Sequence, residues 1–95
     1  MRKYEIMYIL MPQLSEEDRK NEIEKLSKIL TDNGAKVNDV NEWGLRELAY
    51  EIKDQMKGYY VVLKVEAETV ATKEFDRLVK IDNNVIRHII VVDKD

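Results

Sequence analysis

The sequence predicts an α+β domain: a four-stranded antiparallel sheet carrying two helices on one face. Three observations predict it. Apolar residues alternate with the period of a strand over residues 3–11, 36–52, 58–67 and 85–92. They recur at helical spacing at Ile23, Leu26, Ile29 and Leu30, and again at Ala71, Phe75, Leu78 and Val79. The resulting order, β-α-β-β-α-β, repeats one β-α-β unit twice, and right-handed crossovers put both helices on the same side of the sheet.

The first strand, Lys3 to Met11, is apolar on both parities, so it belongs in the middle of the sheet, and Pro12 ends it. Ser15 caps a helix whose first turn holds Glu16, Glu17 and Asp18, where the helix dipole favours negative charge. Asn33-Gly34 closes that helix, with Gly34 suited to a left-handed position. Lys36 opens the second strand. Within it Trp43 and Leu45 share one parity while Leu48, Tyr50 and Ile52 share the other, which implies an extra residue near Gly44. Asp54 to Lys57 is expected as a loop, and Gly58 as the start of the third strand. A second helix spans Thr69 to Ile81, capped by Thr69. Asp82-Asn83-Asn84 forms a turn, and Val85 to Val92 is the fourth strand. The arrangement is ferredoxin-like, with strands one and three central and strands two and four at the edges.

Two helices cover one face only. The other face carries Met7, Ile9, Tyr60, Val62, Ile89 and Val91, flanked by Glu5, Lys64 and Arg87. An apolar patch of that size on a small domain calls for a partner. Trp43, Leu45, Leu48 and Tyr50 are expected to serve partly the core and partly that partner, together with Tyr60 and Val62.

Composition narrows the chemistry. The 95 residues make a single domain, 1–95, with 44% hydrophobic and 37% charged residues. Without cysteine there is no disulfide framework and no thiol nucleophile, and a single histidine, His88, leaves no basis for a metal site. Three unclustered glycines cannot cradle a phosphate, neither serine lies in a nucleophile elbow, and the first loop offers no basic residue. No catalytic residue, cofactor or small-molecule substrate is expected. The start MRKYE reaches no long apolar run, so no signal peptide or membrane contact is expected and the location is cytoplasmic. A net charge of −3 argues against a stand-alone nucleic-acid binder. Phosphate contacts then fall to a local set: Arg2, Lys3, Arg46 and Arg87. The run Lys57-Gly58-Tyr59-Tyr60-Val61-Val62 resembles in part the stacking strand of RNA-recognition motifs, but Val61 stands where an aromatic belongs.

Arg2-Lys3-Tyr4-Glu5, Trp43-Gly44-Leu45-Arg46 with Leu48-Ala49-Tyr50, Lys57-Gly58-Tyr59-Tyr60 and Asn84-Val85-Ile86-Arg87 resemble the bacterial small-subunit ribosomal protein six family. The motif W-G-x-R-x-L-A-Y is the most specific part, although Glu47 stands where a second basic residue is common and Glu51 where proline is common. The resemblance implies a place on the platform of the small ribosomal subunit, contact with its rRNA, and a heterodimer with small-subunit ribosomal protein eighteen. Two other classes use the same element order. A small-molecule-binding regulatory module of the amino-acid-sensing type needs glycine in the first loop, and Met11-Pro12-Gln13-Leu14 has none. A small phosphate-ester hydrolase needs a basic first loop.

Overall fold

The computed structural model describes residues 1–93. Along the chain lie β1 (Arg2–Leu10), α1 (Glu16–Asp32), β2 (Lys36–Ile52), β3 (Gln55–Ala67), α2 (Thr69–Lys80) and β4 (Val85–Val92). The four strands form one sheet in the order β2-β3-β1-β4, every neighbouring pair antiparallel. This is the expected ferredoxin-like topology, with β1 and β3 inside and β2 and β4 at the edges.

The core follows from strand parity. Tyr4, Ile6, Tyr8 and Leu10 of β1 join Val61, Leu63 and Val65 of β3 under Ile23, Leu26 and Leu30 of α1 and Ala71, Phe75 and Val79 of α2. Burying each of the larger side chains stabilises the fold by about 1.5–3 kcal/mol. At the start of α1 the Asp18 backbone N–H donates to Ser15 Oγ at 3.1 Å, and Glu16, Glu17 and Asp18 occupy the first turn. At its end Leu30 O accepts from the N–H of Asn33 at 3.1 Å and of Ala35 at 3.0 Å, across Gly34 at φ +85°.

Four expectations are corrected. Thr69 is the first helical residue of α2 rather than its cap; Glu68 is the cap residue and makes no side-chain cap bond. Packing of Ala71, Phe75 and Val79 holds this helix without a capping side chain. Leu78 is only half-buried, at the margin beside Lys25, Ile29 and Ile81. It lies about 100° around the helix from Val79, whose line at four-residue spacing already fills the sheet-facing position. The expected loop at 54–57 is mostly strand. Lys53 and Asp54 both take positive φ (49° and 63°), so a two-residue turn closes the hairpin and Ile52 already pairs with Gln55. Finally, a register shift between Ile9 and Leu10 leaves Ile86 as an extra residue on β4. Val85 therefore enters the helix-side core and Ile86 the opposite cluster, the reverse of simple alternation.

Candidate protein and RNA interface on the open sheet face

The helix-free face is built in rows across the three strands β3, β1 and β4. Lys64, Glu5 and Val91 form one row, Val62, Met7 and Ile89 the next, and Tyr60, Ile9 and Arg87 the third. Each row pairs residues directly opposite in the ladder, so their side chains share a face.

The β2–β3 hairpin decides how much of this face stays open. β2 shifts register against β3 three times: at Val37/Asp39, at Glu42/Gly44 and between Glu47 and Ile52. At the second shift Trp43 is the extra residue, and Gly44 at φ +90° supplies the backbone turn the bulge requires. No atom crowds a Cβ placed at Gly44, so conformation rather than space is the constraint there. At the third shift Leu48, Ala49, Tyr50 and Glu51 stand against the single Met56. The slack lets the hairpin tip fold over the open face. Leu48 packs with Ile9 and Ile86, flanked by Met11, Ile52 and Tyr60. Arg87 Nη1 donates to the Tyr50 hydroxyl at 2.5 Å, and Lys53 Nζ donates to Val85 O at 3.3 Å.

The six residues expected to meet a partner thus divide. Leu48 and Val62 are buried inside the chain, at 8% and 4% exposure, and leave little surface for anything else. Tyr60 is half-buried. Trp43 and Tyr50 are 49% and 60% exposed, and Ile89 and Val91 continue the open apolar surface; Leu45, 55% exposed, stands opposite Tyr59 and so lies on the helix side of the sheet edge instead. Trp43 stacks on Tyr60 with ring centres 6.4 Å apart and planes 7° from parallel, and the Arg46 guanidinium lies 5.5 Å from the Trp43 ring.

The four expected phosphate contacts do not converge. All are exposed. Arg2 and Lys3 pair with Ala67 and Glu66 at one end of the sheet. Arg46 pairs with Gly58, and Arg87 with Ile9, at the other end. Seven residues of extended chain separate Arg2 from the Arg87 row, about 24 Å at the rise of a strand. Lys53, which was not singled out from the sequence, joins Arg87 at the start of β4.

Tyr59 does not present a stacking surface beside Tyr60. Its ring packs against the helix-side core, under the Arg19 guanidinium at 4.2 Å, and its hydroxyl donates to Glu42 Oε1 at 2.8 Å. Burial and the bond to Glu42 push the phenol up, so it remains a donor. His88, on the helix side, has Nε2 2.6 Å from Asp76 Oδ1, and Lys80 closes the other Asp76 oxygen at 2.9 Å. Among the described residues no group of three or more His, Cys, Asp or Glu side chains could hold a metal ion. Among them, too, no helix is long and apolar enough to cross a membrane.

The family model for ribosomal protein S6 matches residues 3–92. The chain belongs to the ribosomal protein S6 family. A crystal structure of 30S ribosomal protein S6 from Thermotoga maritima superposes with a TM-score of 0.92 at 30% sequence identity, covering 97% of this chain and 87% of that one. The S6 family accounts for the ferredoxin-like topology and makes this chain a ribosomal protein. The open sheet face and the folded-over hairpin tip are therefore features of an S6-family chain.

Proposed function

We propose that this chain is a structural component of the small ribosomal subunit that binds small-subunit rRNA as a heterodimer with small-subunit ribosomal protein eighteen. The open apolar sheet face carries the reading. Ile89 and Val91 on the sheet, with Trp43 and Tyr50 on β2 and its tip, leave apolar side chains in water that a second protein would cover. Each Å² of that apolar area contributes about 25 cal/mol when covered. With a net charge of −3 and basic residues split between the two ends of the sheet, the chain neutralises few phosphates alone. The partner supplies basic surface, while this chain supplies shape and a few anchors. It performs no reaction and needs no cofactor.

The test is a pair of titrations. Tyr50→Ala should weaken heterodimer formation while the domain stays folded. Filter binding of rRNA against salt should show weak binding of the isolated chain and tighter binding with the partner present. Arg87→Ala should weaken the ternary complex and flatten the salt slope by about one unit. Tight rRNA binding by the isolated chain, unchanged by the partner, would overturn the reading.

A further inference from the structure

On the helix side, α1 and the α2–β4 turn meet through two buried carboxyl groups. Glu22 lies on the same stripe as Leu26 and Leu30 and is 5% exposed, and the side chain of Asp82 is 7% exposed. One oxygen of each has a donor. The Asn84 backbone N–H donates to Asp82 Oδ1 at 2.9 Å, and the Asn84 side-chain amide donates to Glu22 Oε1 at 3.2 Å. The other two, Glu22 Oε2 and Asp82 Oδ2, are buried without a hydrogen-bond donor. Lys25 Nζ lies 3.0 Å from Asp82 Oδ2 and 3.5 Å from Glu22 Oε1, an ion pair with both that makes no hydrogen bond at Asp82 Oδ2.

Asn84 and Lys25 each contact both carboxyl groups, which brings the two side by side. Ionised carboxylates are acceptors only, so two of them cannot bond without a proton between them. Side by side and out of water, both cannot stay charged. We propose that Glu22 and Asp82 share one proton in the folded protein, Glu22 as the acid and Asp82 as the carboxylate paired with Lys25, and that this proton latches the start of β4 to α1.

Each side of the pair has a distinct cause. Burial, then the contact with Asp82, pushes the Glu22 carboxyl above the usual carboxylate range. Burial opposes the charge on Asp82 as well, but the contacts with Glu22, the Asn84 N–H and the Lys25 ammonium outweigh it and hold Asp82 low. The remaining titratable group facing Glu22 is Tyr8 of β1. Its hydroxyl is buried without a partner, and burial followed by the charge of Glu22 pushes it far up, so it stays neutral. One positive and one negative charge remain, which balances the site.

The latch reaches three elements. Asn84 bonds Glu22 of α1 through its side chain, and its carbonyl accepts from the Met11 N–H at 2.9 Å, just past β1. Asp82 O accepts from the Val85 N–H at 3.2 Å, where β4 begins. Proton loss from Glu22 would put two negative charges in contact at that junction.

The sign of the linkage follows. Glu22 is raised by folding, so its contribution is full below the ordinary Glu value and is lost as pH climbs through its folded value. Asp82 is lowered, so its contribution holds above the ordinary Asp value and is lost as pH falls through its folded value. The pair therefore stabilises most in mildly acidic solution and weakens on the alkaline side. Within the Glu22 window each pH unit changes the folded-to-unfolded ratio by up to tenfold, one proton being released on unfolding.

Carbon-13 NMR of the Glu22 Cδ in the native protein tests this directly. The expected result is a carboxyl that titrates above the ordinary Glu value of about 4.3 and is still protonated in mildly acidic solution. Glu22→Gln mimics the acid and cannot lose a proton. Its urea midpoint should gain on that of the parent as pH rises from about 5 to about 9. Over the same range, amide exchange at Met11, Asn84 and Val85 should outrun the intrinsic pH dependence in the parent but not in Glu22→Gln. A Glu22 Cδ that titrates at or below the ordinary Glu value overturns the proposal, whether or not Glu22→Gln folds. Identical pH profiles for the two proteins overturn it as well.

Discussion

Leu48→Ala probes whether the hairpin tip is held on the sheet by its own apolar contact. Truncation removes three carbon groups, worth roughly 2.4 kcal/mol at about 0.8 kcal/mol each if all are buried. The side chain is 8% exposed, so nearly all of that transfer energy applies. A core position would add a cavity penalty. Here the site borders an open groove of about 200 Å³ lined by Met7, Ile9, Tyr50, Tyr60, Arg87 and Ile89, and water enters instead. The expected loss is therefore about 2 kcal/mol in urea denaturation, with no added cavity term. It has a ceiling, because once the tip lets go of Ile9 and Ile86 further weakening of that contact has no effect. Amide exchange should show the same event as faster opening at Leu48–Ile52 while β1 and β3 stay protected. A loss below about 0.5 kcal/mol, within the ordinary effect of a surface substitution, would refute the seating of Leu48.

Leu30→Ala removes a fully buried core side chain and should cost about 2–5 kcal/mol by chemical denaturation, more than Leu48→Ala, because the enclosed site cannot fill with water. Gly58→Ala should destabilise by about 1–3 kcal/mol, since a Cβ at that position overlaps Ile9 Cγ2 and Ile9 is itself packed under Leu48; thermal melts of Gly58→Ala with and without Ile9→Ala should show the second change relieving part of the loss. Bonds from Lys80 and then His88 hold the Asp76 carboxyl below its ordinary range, so its contribution is present above the ordinary Asp value and lost as pH falls through the folded one. Asp76→Asn should accordingly lose that component of acid sensitivity in unfolding titrations.

The sheet was legible because parity is a local property that the tertiary structure preserves. Tyr4, Ile6, Tyr8 and Leu10 alternate in the sequence and all four sit under the helices. The Ser15 cap was legible for a similar reason, since the hydroxyl oxygen and the Asp18 N–H that donates to it lie within one turn. The hairpin tip was not. Its length depends on where β2 and β3 fall out of register, and that is set by contacts of Leu48 and Tyr50 with β1 and β4, distant in sequence. The polar run at 54–57 concealed the turn because Lys53, an ordinary residue, takes the left-handed conformation more often supplied by glycine or asparagine. Among the phosphate candidates, residue type was visible but convergence was not, because Arg2 and Arg87 come together or apart only through the β1–β4 register. Glu22 did leave a signal: it occupies the helical stripe of Leu26, Ile29 and Leu30, where a carboxylate is out of place.

Trp43 is the protein's one tryptophan, and it stands outside the core, stacked on Tyr60 and half in water. Its emission is thus an optical signal from the open sheet face, undiluted by any indole in the interior. A partner that covers it should shift that emission to shorter wavelength and shield it from iodide. Unfolding of the helix-side core should reach it only through the hairpin. Fluorescence can therefore follow complex assembly in real time on the unlabelled chain, while circular dichroism follows the fold.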